Sequence, residues 1–140
     1  ARRSGCWSSC DRTGHGGRAA RPRVPSASGR VADDGLSPLI TGGRSYGSRV
    51  ACRTASEAGS VGVLYLAFPL HPPGKPEQSR LGDLEAATVA TLVIQGRSDA
   101  FGCPPGAEHR RVLVVDGDHS LKKDHDRIAS TVVEWLDDLL

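Results

Sequence analysis

The sequence contains no long hydrophobic run, no methionine and almost no net charge, and each absence limits what the chain can be. No stretch of about 18 apolar residues occurs, which excludes a membrane-spanning helix. The 18 Lys and Arg nearly balance the 16 Asp and Glu, so the net charge of +2 gives no support to a nucleic-acid partner. Because methionine is missing even from position 1, we expect a fragment, a processed product or a gene model that lacks its start.

Cysteine is also scarce, and no targeting segment is recognisable. The four cysteines, at positions 6, 10, 52 and 103, are too sparse for a disulfide framework and predict free thiols in a reducing cytoplasm. Residues 1–30 are rich in Arg but have no apolar stretch of the length that a secretory signal needs. We therefore expect a cytoplasmic protein that does not associate with membranes.

Residues 1–35 are dominated by Arg, Gly, Ser, Ala and Pro and show neither strand nor helix periodicity. Without apolar side chains to bury, such a segment cannot offset the entropy lost on folding, so we predict that it is disordered. Cys6, Cys10 and His15 allow a second interpretation, half of a zinc site. The C-x3-C spacing with one histidine supports that site only weakly, and the disordered tail is the favoured interpretation.

From residue 36 to residue 140, apolar segments of strand length alternate with helix patterns. The run VGVLYLAF at 61–68 has no polar alternation, which is typical of a parallel strand covered on both faces. The alternation predicts one α/β domain in which helices cover both faces of a mostly parallel sheet. The other predicted strands are 39–41, 91–95 and 111–115, and the predicted helices are 45–58, 81–87 and 123–140.

Two of these helices carry an apolar stripe at three- and four-residue spacing, which is expected to face the sheet. In the helix over 45–58 the stripe contains Val50, Ala51, Thr54 and Ala58. In the helix over 123–140 it contains Ile128, Val132, Trp135, Leu136 and Leu139.

Ser45 lies in Gly43-Arg44-Ser45-Tyr46-Gly47, which matches G-x-S-x-G between a predicted strand and a predicted helix. In this pattern the serine occupies a tight turn with strained backbone angles that expose its hydroxyl. Side chains at the two flanking glycines would collide with the neighbouring strand and helix. The Tyr46 N–H at the helix start would form one half of an oxyanion hole. The alternative is a glycine-rich turn in which Ser45 only caps the helix.

A serine hydroxyl becomes a nucleophile when a base, itself oriented by a carboxylate, removes its proton. Asp99 follows the third predicted strand and His119 follows the fourth. Because the carboxyl ends of parallel strands meet at one edge, Ser45, Asp99 and His119 are expected to lie together there. Their order along the chain is serine, acid, histidine, as G-x-S-x-G hydrolases require.

Other acids and histidines remain alternatives for these roles. Asp99 and His119 could each be ordinary loop residues. His71 follows the second strand and would reach the same edge of the sheet, so it is a candidate for substrate contact, although a structural role is favoured. The rival acids are Asp83, Asp116 and Asp118, and the rival bases, which are less well placed along the chain, are His109 and His125.

Two cofactor motifs are incomplete. Residues 42–48 have the glycine spacing of a P-loop, but Ser48-Arg49 stands where Lys-Ser/Thr is needed to hold a nucleotide phosphate. Residues 116–118 are acidic, yet the downstream ligands of a calcium loop are missing. We therefore expect neither a cofactor nor a metal.

Four segments together resemble the small α/β-hydrolase-like family typical of bacteria, which has related domains in a testis-expressed protein and in a chromatin-acetylation complex. The resemblance covers about residues 36–140. It includes the unusual segment FPLHPPGKPE and is therefore specific. The segments are GGRSYGSRVACRTA, LAFPLHPPGKPEQSRLGDLE, TLVIQGRSDAFG and VDGDHSLKKD.

The resemblance implies a three-layer α/β/α fold with Ser45, Asp99 and His119 in the triad positions. Ala100 departs from the family pattern, which usually has proline after the acid. The family also has an N-terminal half with further strands and a glycine-rich loop that supplies the second oxyanion donor. His15-Gly16-Gly17 is similar to that loop, but residues 1–35 lack the apolar strands, so the strand at 38–41 would have an unpaired edge.

The leading hypothesis is a serine hydrolase that acts on an ester or similar small acyl substrate, with no nucleic-acid or membrane partner. A second hypothesis is a non-catalytic α/β-hydrolase-like module that binds other proteins. A third is an inactive fragment with half an oxyanion hole. The sequence makes no prediction for the identity of the substrate or the oligomeric state.

Overall fold

The computed structural model describes residues 38–140. The disordered segment predicted for residues 1–35, the zinc interpretation of Cys6, Cys10 and His15, and the loop at residues 15–17 lie outside the described residues. None of the helices in this part of the chain is long and apolar enough to span a membrane. The elements are β1 Ile40–Arg44, α1 Tyr46–Thr54, β2 Gly62–Leu66, α2 Leu81–Glu85, β3 Ala90–Gly96, β4 Arg110–Val115 and α3 His125–Leu139.

The four strands form one parallel sheet in the order β1-β2-β3-β4. The register places Gly43 beside Tyr65, Tyr65 beside Val93 and Val93 beside Val112. Since all four strands run in the same direction, the loops that follow them leave from one edge of the sheet. The predicted α/β class with a mostly parallel sheet is therefore confirmed.

The first face of the sheet is covered by α1 and α2. Val63 and Tyr65 point to this face, because alternate residues of a strand share a side. The ring of Tyr65 lies 5.7 Å from the ring of Phe68. Most of the residues buried here by α1, by α2 and by the residues just after each helix are small, which lets the helices approach the strands closely. They are Ala51, Cys52, Ala55, Leu84 and Ala87.

The opposite face is covered by α3. Trp135, which is 7% exposed, packs against Leu92, Ile94 and Val115 of the sheet. The helix approaches so closely that a Cβ on Gly62 would lie 2.4 Å from Leu139 Cδ2. The apolar stripe predicted for this helix is confirmed, since Ile128, Val132, Trp135, Leu136 and Leu139 all belong to this cluster.

β1 continues past its predicted end and passes through both glycines. Gly43 pairs with Tyr65 and Arg44 with Leu66, so the glycines belong to the strand and not to a turn after it. A Cβ on Gly42 would lie 2.6 Å from the Leu64 carbonyl oxygen, which explains a glycine in this position. The strand therefore carries the chain directly to Ser45.

The apolar stripe predicted for α1 is wrong in part. Val50 is 43% exposed, whereas Ala51 and Ala55 are buried. The buried side follows the series Ser48, Ala51, Cys52 and Ala55, because the start of the helix at Ser45 fixes which side meets the sheet. The helix also ends at Thr54, four residues before the predicted end.

Among residues 38–140, β1 pairs with β2 alone. Within that range its other side has no strand partner, and an unpaired strand edge is the arrangement that favours association of edges. The unpaired edge expected for this strand in the whole chain stays a prediction.

Candidate active site

Three loops at one edge of the sheet carry the predicted triad residues. Ser45 follows β1, Asp99 follows β3 and His119 follows β4. The parallel sheet places the C-terminal ends of these strands along the same end of the sheet, with β2 between β1 and β3, although the three residues are far apart in sequence. The sheet therefore determines which side chains can meet.

Ser45 has a backbone conformation that favours glycine, with φ of 51° and ψ of −118°. These angles match the first central position of a type II′ turn. The Ser45 N–H donates to the Leu66 carbonyl (2.9 Å), which ties the turn to β2. The Ser45 side chain makes no capping hydrogen bond to α1 within residues 38–140. The alternative, in which Ser45 only caps the helix, does not fit this geometry.

The two glycines around Ser45 differ in their packing. A Cβ on Gly43 would lie 2.3 Å from the carbonyl of Gly47 and 2.7 Å from the Ser48 nitrogen, so only glycine fits there. Nothing in the described part of the chain lies within 4 Å of a Cβ on Gly47. The expected collision is therefore confirmed for Gly43 and wrong for Gly47, because the close contact is made by the backbone of Gly47.

The three predicted side chains form one continuous hydrogen-bonded series. His119 Nε2 lies 2.8 Å from Ser45 Oγ, and His119 Nδ1 lies 2.8 Å from Asp99 Oδ2. With the proton on Nδ1, His119 donates to the carboxylate and accepts from the serine hydroxyl. The Asp99 side chain is completely buried, whereas that of His119 is 27% exposed. The exposed imidazole can therefore meet a ligand while the carboxylate stays away from water.

Backbone and ring contacts also hold the acid and the histidine. The Phe101 N–H donates to Asp99 Oδ1 (2.8 Å). The Phe101 ring lies 4.4 Å from the His119 ring, at an angle of 38°. Gln95 Nε2 donates to Asp99 Oδ2 (2.8 Å). Each oxygen of the carboxylate thus has a fixed donor.

The loop that carries His119 packs closely on the end of β3. A Cβ on Gly96 would lie 2.3 Å from the Asp118 carbonyl oxygen, so a larger residue would displace this loop. Ser98 donates to the Gly117 carbonyl from both its N–H (2.9 Å) and its hydroxyl (2.8 Å). These contacts fix the distance between the acid loop and the histidine loop.

Asp118 and Ser120 shape the turn around His119. Asp118 Oδ1 accepts hydrogen bonds from the Ser120 hydroxyl and from the Ser120 N–H (2.9 Å), and these bonds lower the pKa of Asp118. Arg44 Nη2 donates to the Ser120 carbonyl (2.8 Å). The residue before the serine is therefore linked directly to the residue after the histidine.

A family model described as an alpha/beta hydrolase domain matches residues 23–135. The chain belongs to this alpha/beta hydrolase family. No curated protein and no solved structure matches it significantly. The family suggested by the sequence resemblance is therefore confirmed, and the fold described above is the α/β-hydrolase arrangement of a parallel sheet with helices on its faces.

The rival acids of this α/β-hydrolase domain have other partners. Asp83 lies 3.5 Å from both Arg49 and Arg53, on the α1 side of the sheet. Asp116 lies 3.2 Å from Arg97. Asp118 is engaged in its own turn. Asp99 is the acid that contacts His119.

The rival bases are also directed elsewhere. His125 Nε2 lies 3.0 Å from the Leu121 carbonyl, at the start of α3. His109 Nε2 is buried and has no hydrogen-bond partner among residues 38–140. His109 precedes the N-terminal end of β4, whereas His119 follows its C-terminal end. Within residues 38–140, no three His, Cys, Asp or Glu side chains converge to hold a metal ion.

His71 packs against the loop that carries Asp99. Its N–H donates to the Phe101 carbonyl (3.0 Å), and its Nδ1 lies 2.8 Å from the Pro72 carbonyl. Gly102 has a φ of +89°, and a Cβ there would lie 2.5 Å from His71 Nε2. These contacts are structural, and the predicted role of His71 in binding a substrate stays a prediction.

Tyr46 is the first residue of α1, and its side chain is 66% exposed. The N–H groups in the first turn of a helix have no acceptor within the helix. The Tyr46 N–H follows Ser45 directly and needs no acceptor within the helix, so it is of the kind that can donate to a bound ligand. Its part in an oxyanion hole stays a prediction.

Sequence reasoning missed three residues that support this site. Gln95 is an amide in the apolar strand segment TLVIQG, and that mismatch is a signal that could have identified it. Arg44 occupies a variable position of G-x-S-x-G, and Phe101 lies in a loop. Nothing in the local pattern distinguishes these two, because their contacts reach residues distant in sequence.

Proposed function

We propose that this α/β-hydrolase domain is a serine hydrolase that cleaves an ester or a related small acyl compound. The observation that supports this best is the unbroken series from Ser45 Oγ through His119 to Asp99, with 2.8 Å at each hydrogen bond. Nucleophile, base and orienting acid are then within the reach that acyl transfer needs.

The proposed reaction begins when Ser45 Oγ attacks the acyl carbonyl carbon and His119 Nε2 accepts the hydroxyl proton. The tetrahedral intermediate collapses, and His119 returns that proton to the leaving alcohol. Water, deprotonated by His119, then attacks the acyl-enzyme, and His119 returns this proton to Ser45 Oγ as the acid is released. Asp99 stabilises the imidazolium that forms in both halves of the reaction.

The first turn of α1 would stabilise the negative charge on the carbonyl oxygen. Tyr46 is the residue after the nucleophile, and its N–H points from the positive end of a nine-residue helix. One such donor contributes about a 100-fold to 1,000-fold rate increase in related chemistry. Ser45 is half-buried between the exposed residues Arg44 and Tyr46, so among residues 38–140 this position is accessible to a substrate.

The experiment that tests the proposal is covalent labelling with a fluorophosphonate, which reacts with activated serines. We expect labelling of the peptide that contains Ser45 in wild type and none in Ser45→Ala, read by mass spectrometry. Ser130→Ala is the matched control, because this exposed serine lies on α3, remote from the sheet edge with the triad. It should label as wild type does.

Circular dichroism of the same samples shows whether each variant is folded. A folded wild-type chain with no label on Ser45 would refute the catalytic role. Turnover of a p-nitrophenyl ester gives a second measurement. Equal turnover by wild type and Ser45→Ala would support the non-catalytic binding module instead.

A further inference from the structure

We propose that Gln95 is a positioning residue of the triad, which holds the Asp99 carboxylate in the orientation that His119 needs. The inference rests on the proposed hydrolase function, and it adds a residue on a strand to a site made otherwise by loops. Gln95 acts through Asp99 and does not contact the reacting atoms.

Gln95 is a polar residue in the most buried strand of the sheet. Its side chain is 0% exposed, and its neighbours Leu92, Val93 and Ile94 are apolar and equally buried. A buried amide without hydrogen bonds destabilises a folded protein, so its partners explain why it is tolerated.

The partners of the Gln95 amide are all hydrogen-bond acceptors. Nε2 lies 2.8 Å from Asp99 Oδ2, 2.7 Å from the Gly102 carbonyl and 3.3 Å from the Phe68 carbonyl. These acceptors fix which end of the amide carries the nitrogen. Gln95 Oε1 is buried and has no hydrogen-bond partner among residues 38–140.

The unpaired oxygen argues against a role in stability alone. An apolar side chain of the same length would avoid the unpaired oxygen, but it would also remove the N–H groups that meet Asp99 Oδ2 and the Gly102 carbonyl. What Gln95 adds is a donor for Asp99 Oδ2, the same oxygen that accepts from His119. With the Phe101 N–H on Oδ1, the carboxylate cannot rotate without breaking a hydrogen bond.

The chemistry of the amide suits this task. Gln95 is neutral and does not titrate, so it orients Asp99 without placing a charge of its own beside His119. A lysine or arginine in this place would form a salt bridge with Asp99 and compete with His119 for the carboxylate. An N–H donor without charge orients the acid and leaves its electrostatic effect intact.

The first test is Gln95→Met, which keeps the length of the side chain and removes the donor. Thr91→Val is the matched control, because Thr91 is a buried residue of the same strand whose hydroxyl donates to the Val89 carbonyl at 2.9 Å. We expect Gln95→Met to lower the rate of fluorophosphonate labelling about 10-fold to 100-fold, as for one lost hydrogen bond to a charged group. Thr91→Val should label at nearly the wild-type rate.

A second measurement does not depend on catalysis. The proton on His119 Nδ1 should give a low-field signal in the 1H NMR spectrum, assigned by its loss in His119→Ala. We expect this signal to shift or broaden in Gln95→Met and to persist in Thr91→Val. If wild type does not label but the signal responds in this way, the hydrolase proposal fails and the positioning role stands.

A third variant, Gln95→Glu, covers the case in which Gln95→Met does not fold. The protonated carboxyl still offers one O–H to Asp99, whereas the ionised form places a second negative charge beside it. Its labelling rate relative to wild type should therefore fall as the pH rises. A ratio that does not depend on pH, or a Gln95→Met variant with wild-type labelling and an unchanged NMR signal, would overturn the proposal.

Discussion

The strained backbone at Ser45 predicts that the site reduces the stability of the protein. Both Ser45→Ala and Ser45→Gly remove the hydroxyl and its hydrogen bond to His119. They differ in the Cβ, which an L-residue must accommodate at φ 51° and ψ −118° and which glycine lacks. We therefore expect Ser45→Gly to be the more stable of the two variants.

The size of the difference follows from two opposing terms. A non-glycine residue in such a conformation costs about 1–3 kcal/mol of folding free energy. Glycine loses more backbone entropy on folding than alanine does, by about 0.5–1 kcal/mol. The net advantage of Ser45→Gly over Ser45→Ala is then about 1 kcal/mol, or about 3–5 °C in Tm for a chain of this length.

Urea denaturation followed by circular dichroism measures this difference through the transition midpoint. The control is Ala129→Gly, an exposed position inside α3, where glycine should lower the free energy of unfolding by about 0.5–1 kcal/mol. The two comparisons should have opposite signs. At position 129 the glycine variant should be less stable than the protein with alanine. If Ser45→Gly is likewise less stable than Ser45→Ala, the strain argument is refuted.

Three further predictions concern the loops and the two faces of the sheet. Gly96→Ala should displace the Asp118 carbonyl and with it His119, lowering the fluorophosphonate labelling rate about 100-fold. Trp135→Ala removes a buried indole and should lower the free energy of unfolding by about 3–5 kcal/mol, measured in urea. Burial raises the pKa of the Cys52 thiol, so iodoacetamide should modify Cys52 slowly in the folded protein and rapidly in urea, as peptide mass spectrometry would show.

Each of these predictions has its own control. Gly82→Ala should leave labelling unchanged, because nothing described in the structure lies within 4 Å of a Cβ there. Val133→Ala changes a side chain of α3 that is 57% exposed, and a loss as large as that of Trp135→Ala would contradict the assigned burial. Equal modification of Cys52 with and without urea would contradict its place in the core.

Much of the fold could be predicted from the sequence because local residue patterns indicate the helices and strands. The stripe through Trp135 is spaced for a helix, and it packs on the sheet as expected. The apolar run around Tyr65 has the length and composition of a covered parallel strand, and it forms β2. The parallel direction of the strands then follows from the alternation of elements, whereas the strand order is known from the structure.

The candidate site was predicted less completely, because its supporting contacts join residues distant in sequence. Ser45, Asp99 and His119 were grouped because each follows a strand, and the structure places them within hydrogen-bonding distance, while their catalytic roles stay predictions. Arg44 was missed because its contact joins residues distant in sequence, and Gln95 was missed although an amide in an apolar strand was a local signal. The roles of His71 and Tyr46, the cytoplasmic location, the acyl substrate and the absence of membrane or nucleic-acid partners stay predictions.

The sequence alone determined the α/β class, the family and the order of serine, acid and histidine, because periodicity and short motifs are local properties. Only the tertiary structure decided which side of α1 is buried, that Gly43 and not Gly47 requires glycine, and that Arg44 meets the Ser120 carbonyl. These outcomes depend on how closely strands, helix and loops approach one another, and such distances exist only after the sheet has brought distant segments together.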